Sequence, residues 1–171
     1  MFDPTIFDNV KVVMEGAVYD KDLDGVLNVI DRKDFVNLAE MSRHYSISFA
    51  IYDHPSSYCK WQLSSDVRQL SNEILRPYDK SEQGCLTSIE FSILVTMNEQ
   101  EWKGIEEIIS NHWKGRNISL EIRIPYPLEE NVRLHATVHF DRIIMEEDID
   151  DLVEMLTFML NTLHSLREHG Y

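Results

Sequence analysis

The sequence predicts an α+β fold: an antiparallel-dominated sheet of about six strands with helices on its apolar face, in the order ββαβαβαββα. Three observations carry this. Ile89, Phe91, Ile93, Val95 and Met97 fall on one side of an alternating run, with Glu90, Ser92 and Thr96 on the other. Ile118, Leu120, Ile122 and Ile124 oppose Ser119, Glu121 and Arg123, and Val132, Leu134, Ala136, Val138 and Phe140 oppose Arg133, His135, Thr137 and His139. Such alternation makes one face greasy and the other polar, as in antiparallel sheets and not in buried parallel ones. Finally, residues 146–169 form a long helix whose apolar surface can cover that greasy face.

Taken in order, a first strand is expected over Val10–Val18, where Val10, Val12, Met14 and Val18 share a face, and a second over Val26–Ile30. Asp24-Gly25 marks the turn between them, widened to begin near Asp20 so that acids do not oppose core residues. Asp31 reads as the N-cap of a short helix to about Met41 that carries Phe35, Leu38 and Ala39 inward. Tyr45, Ile47, Phe49 and Ile51 alternate as a third strand, and Asp53–Ser57 reads as a loop. Ser64 or Ser65 then caps a helix with Val67, Leu70 and Ile74, which Pro77 stops; residues 77–84 are a polar loop. After the strand at 89–97, Asn98 with Glu101 begins a helix whose face is Trp102, Ile105, Ile108, Ile109 and Trp113, ending near Gly115. A hairpin and the last helix complete the chain.

The length of 171 residues suits a single domain spanning 1–171. With 30 acidic against 16 basic residues the net charge is −14, a field that repels phosphate backbones and acidic membranes, so neither is expected as a partner. The first residues lack a basic stretch and apolar core, which points to the cytoplasm. Cys59 and Cys85 are far apart and match neither a disulfide framework nor a zinc pattern, so reduced thiols are expected.

Asp20, Asp22 and Asp24 precede Gly25, with Leu27 and Asp31 following, and these twelve residues resemble the calcium loop of the EF-hand family. That resemblance implies carboxylate ligands at alternate positions around a glycine turn. The departures are a twelfth position, Asp31, one methylene shorter than glutamate, and a preceding segment whose Glu15 and Gly16 could not seat an entering helix. An acidic β-turn accounts for the same residues, and no metal or cofactor is expected.

If the last two strands pair about residues 125–131, Arg123 meets Arg133 on the polar face. Like charges directly opposed are destabilising, so Arg123, Arg133 and His135 are a candidate anion site. His135 and His139 lie about 13 Å apart along a strand and cannot share one ion. Glycine-rich phosphate cradles, zinc-protease helices and nucleophile elbows are missing.

The last helix begins with Glu146, Glu147, Asp148, Asp150 and Asp151 and ends with His164, Arg167 and His169, which complements its dipole at both ends. Leu152, Leu156, Leu160 and Leu163 form the stripe expected to cover the sheet. Met155, Phe158 and Leu166 widen the apolar arc to about 220°, more than one sheet can cover, so they are expected to meet a neighbouring helix or a second chain. The functional reading is a non-enzymatic cytosolic protein acting through protein contact, in a regulatory or adaptor role, as a homodimer or as an acidic partner of something basic. A small-anion-binding domain on the polar sheet face, or an enzyme using scattered Glu and His groups, are the alternatives.

Overall fold

The structure, a computed structural model, describes residues 5–75, 83–127 and 129–171. Its elements are α1 (Thr5–Leu23), β1 (Leu27–Asn37), β2 (Ser42–Ile51), β3 (His54–Ser65), α2 (Val67–Leu75), β4 (Leu86–Thr96), α3 (Glu99–His112), β5 (Asn117–Arg123), β6 (Asn131–His139) and α4 (Ile149–Glu168), the last entered through a single 3-10 turn at Glu146–Asp148. The strands form one six-stranded sheet in the order β1-β2-β3-β4-β6-β5, every neighbour antiparallel. The α+β class and the antiparallel sheet are those the alternation predicts, and from α2 onward so is the element order. The first four elements, expected as ββαβ, are αβββ.

The expected first strand is helix α1. Val10, Met14 and Val18 fit a strand's period, but with Phe7 they also fit one face of a helix, and all four are buried. Val12, which a strand would bury beside Val10, is exposed instead. Ion pairs tie this helix down: Lys11 Nζ lies 3.0 Å from both Asp8 and Asp34, and Arg43 contacts the same two carboxylates at 3.0 and 3.5 Å. Burial alone would lower the Lys11 pKa, but the two carboxylates more than offset it and raise it.

The expected helix at Asp31–Met41 is the outer part of β1, to Asn37, and the turn that leads to β2. Ladder pairing with β2 runs from Leu27 opposite Ile51 to Asn37 opposite Ser42, with an irregularity between Val29 and Asp31. Phe35 and Leu38 are therefore exposed instead of inward, and Phe35 stacks on His44. Asn37 makes the turn that follows, its Oδ1 accepting from the Ala39 N–H at 3.0 Å.

Asp53–Ser57, expected as a loop, holds a two-residue turn at Tyr52 and Asp53 followed by the start of β3, with Ile51 opposite His54. Asp53 has φ +65°, a conformation that Asp tolerates better than most residues. The next helix is capped by Asp66 and not by Ser64 or Ser65, which belong to β3. The Asp66 carboxylate accepts from the Arg68 and Gln69 N–H groups, while Gln69 Oε1 accepts from the Asp66 N–H, a reciprocal capping box. The polar loop expected at 77–84 lies mostly outside the described residues. At its end Gly84 runs so close to the backbone of Ile144 that a Cβ there would sit 2.2 Å from the Ile144 carbonyl oxygen.

Helix α3 starts as predicted, Asn98 Oδ1 accepting from the Gln100 N–H at 3.0 Å. Glu101 turns back two residues beyond the N-cap, accepting from the Thr96 N–H and hydroxyl. Helices α1, α3 and α4 cover the apolar face, α4 packing against both α1 and α3 as well as on β2 and β3. This arrangement uses the wide apolar arc of α4: Leu152, Met155, Leu156, Met159, Leu160, Leu163 and Leu166 are all buried.

On β4, Ile93 and Ser92 are both fully buried, but on opposite faces. Ile93 lies in the helix-covered core, whereas Ser92 Oγ accepts from Arg133 Nη1 at 3.3 Å on the far face. Truncation of Ile93 to alanine is expected to cost about 2–5 kcal/mol, and Ser92→Ala about 1 kcal/mol, in chemical denaturation. Equal losses would contradict the facing of β4.

Candidate functional site

The polar sheet face is built from side chains that alternate with the core. Strand pairing sets Arg123 opposite Arg133, and Glu121 opposite His135, in the register the hairpin alternation predicts. The three candidate anion ligands nevertheless occupy different environments. Arg123 is exposed and bonds Glu121 on its own strand at 3.1 Å, which lowers the Glu121 pKa and raises that of Arg123. His135 is buried, its Nδ1 3.2 Å from Glu90 Oε1. Arg133 is half-buried, lies over the Tyr58 ring at 5.4 Å, and has no carboxylate within ion-pair distance among the described residues. Arg123 and Arg133 thus do stand opposite each other, and among the described residues the inner one has no carboxylate at ion-pair distance.

The candidate interface residues of α4 also separate. Met155 and Leu166 are 8 % and 0 % exposed, covered by this same chain, whereas Phe158 is 44 % exposed. The neighbouring-helix alternative thus accounts for most of the wide apolar arc. Phe158 sits against Trp113, ring centroids 6.3 Å apart, and Trp113 makes an edge contact with Phe140.

The segment that resembles a calcium loop is divided between elements. Asp20 and Asp22 lie on the last turn of α1, Gly25 makes the turn at φ +70°, and Asp31 lies in β1 beyond the irregularity, paired to Lys33 at 2.8 Å. An entering helix is present after all; the element that leaves is a strand. Among the described residues no three His, Cys, Asp or Glu side chains are grouped so as to hold a metal ion, and no helix is long and apolar enough to cross a membrane.

Two features escape any local pattern. One is the contrast between the edges of the sheet. At β1 the middle of the strand is charged, Asp31-Arg32-Lys33-Asp34, the ladder is interrupted, and Glu15 and Lys11 of α1 pair with Arg32 and Asp34. These are the means by which edge strands avoid pairing with other chains. β5 also carries a charged pair, Glu121 and Arg123, but its ladder is uninterrupted and, among the described residues, no other element pairs with those charges. Leu134, Ala136 and Val138 of β6 are covered, but opposite Ala136 the side chain of Leu120 is 38 % exposed, and Ile124, just past the last ladder pair, is 54 % exposed. The other feature is a cleft of about 410 Å³ beside Phe158, formed by the end of α3, the connection after β6 and the first turns of α4. No protein-family model, curated protein or solved structure matches the chain.

Cys59 and Cys85 are free and buried, and burial pushes the Cys59 thiol well above its ordinary pKa and Cys85 up to about 12. Neither thiolate forms near neutral pH in the folded chain. A disulfide reagent at pH 8 is expected to leave both thiols unmodified in the native protein and to titrate both in denaturant. Rapid native reaction of either would contradict their placement.

Proposed function

We propose that this protein is cytosolic and works by contact with another polypeptide, and that the contact is strand addition at β5, with a second copy of the chain as the partner. The observation that supports this reading is the open edge: seven residues with an uninterrupted ladder on one side, no neighbouring strand on the other, and Leu120 exposed. A free edge of this kind is a template for main-chain pairing.

The side chains favour one register. Two copies related by a two-fold axis through Ile122 would pair antiparallel, with Glu121 of each opposite Arg123 of the other and Leu120 opposite Ile124. Both charge pairs then fall on the polar face and both apolar pairs on the core face. A two-fold through Leu120 would instead set Arg123 opposite Asn117 and Glu121 opposite Ser119, with no charge pair. In the favoured register a carboxylate from the second copy would stand beside Arg123, on the side away from Arg133, and offset part of the like-charge step. Closed two-fold pairing also removes the edge from both copies.

The second reading, a small anion held by Arg123, Arg133 and His135, draws support from Arg133, which has no carboxylate partner among the described residues. It is weakened by His135, whose Nδ1 is engaged by Glu90.

Sedimentation equilibrium tests the register. Wild type is expected to be dimeric, and Glu121→Lys monomeric because four like charges then meet across the axis. The double variant Glu121→Lys with Arg123→Glu is expected to restore the dimer by exchanging the two signs. A wild-type monomer throughout the micromolar range, or a double variant no better than the single one, would contradict the proposal.

A further inference from the structure

We infer that the cleft beside Phe158 is a binding site for a monocarboxylate with an apolar body, independent of the edge contact. Its volume of about 410 Å³ lies in the range of small-molecule sites. The floor is aromatic and aliphatic: Trp113, Phe140, Met155 and Phe158 line it together. Three of these are linked by ring contacts at 6.0 and 6.3 Å, and Trp113 is fixed from behind, its Nε1 donating to Thr162 Oγ1 at 3.1 Å. Trp113 is thus held at the centre of the floor, and the part of Phe158 left in water is the part a ligand would cover.

One wall is cationic. Lys114 and Arg116 come from the turn that joins α3 to β5, and neither has a carboxylate within ion-pair distance among the described residues. The Arg116 guanidinium lies over the Phe140 ring, 4.9 Å from its centroid, so its N–H edge remains for an anion while its flat face is packed. The third cation, Arg142, is engaged by Asp148 at 3.0 Å and Asp151 at 3.7 Å. Asp151 and Glu154 line the α4 side, and His112 bonds Ser165. An acidic α4 wall repels a second negative charge, which limits the ligand to one carboxylate placed at the Lys114–Arg116 side. In a chain of net charge −14, two cations with no ion-pair partner among the described residues, at the mouth of an aromatic cleft, stand out against the overall field.

Three probes of equal chain length separate this site from generic adsorption: decanoate, decanol and decyltrimethylammonium, titrated into the full chain by calorimetry. Decanoate is expected to bind saturably at one site per chain, with the methyl resonance of Met155 shifting in step. The double variant Lys114→Gln with Arg116→Gln should weaken decanoate about ten- to hundred-fold, as expected for loss of charge-assisted hydrogen bonds, and leave decanol unchanged. Both residues are exposed, so the variant keeps the fold, as circular dichroism will show. Phe158→Asp should abolish binding of decanoate and decanol alike. Glu121→Lys, which tests the β5 contact, should leave decanoate affinity unchanged. Preference for the ammonium probe, equal binding of all three, or no saturable decanoate binding would overturn the site.

Discussion

Everything in this structure depends on a sheet with one apolar face that must be covered. On β6 the alternation is strict and on β4 only Leu86 and Leu94 break it, so Ile89, Phe91, Ile93, Leu134, Ala136 and Val138 all point to one side, and a slip of one residue would turn them all to water. Three helices do the covering. The wide apolar arc of α4 follows from its position, packed on strands and flanked by α1 and α3. Helix α1 is held over the β1 side by Phe7, Val10, Met14 and Val18 and by the Lys11 and Arg43 ion pairs.

That covering is uneven, and the unevenness is where function is proposed. Charged side chains and contacts from α1 guard β1. At the other end of the sheet, α3 packs on β4 and β6, and the apolar side chains of β5 emerge half-covered. Evolution commonly blunts such edges. Here the exposed charges of β5, Glu121 and Arg123, have opposite signs two residues apart, a spacing that is self-complementary under a two-fold axis. In the proposed dimer Arg123, the outer member of the arginine step, would gain a second carboxylate, while Arg133 would stay one strand behind it.

Legibility in the sequence followed the strength of the local period. The β5–β6 register, including Arg123 opposite Arg133, could be read because both strands alternate without interruption. The first element could not, because Val10, Met14 and Val18 satisfy a period of two as well as the helical one, and Phe7, which breaks the tie, lies before the alternating run. Strand β3 was hidden in part because Cys59, Trp61 and Leu63 are its only large inward groups and Pro55 sits near its start. The arginine step was legible as a pattern, but the state of its members was not: His135 is engaged by Glu90 from a strand 45 residues away in sequence. The cleft could not be read at all, since Lys114 and Arg116, Phe140, and Met155 with Phe158 come from three separate segments that meet only in the fold.

Amide hydrogen exchange, resolved over residues 117–124 and followed against protein concentration, tests the edge contact most directly. Strand addition at β5 predicts that the amides facing the open edge gain protection as concentration rises, while those of β1 stay constant. Exchange over 117–124 that is fast and independent of concentration, in wild type and in Glu121→Lys alike, would contradict it.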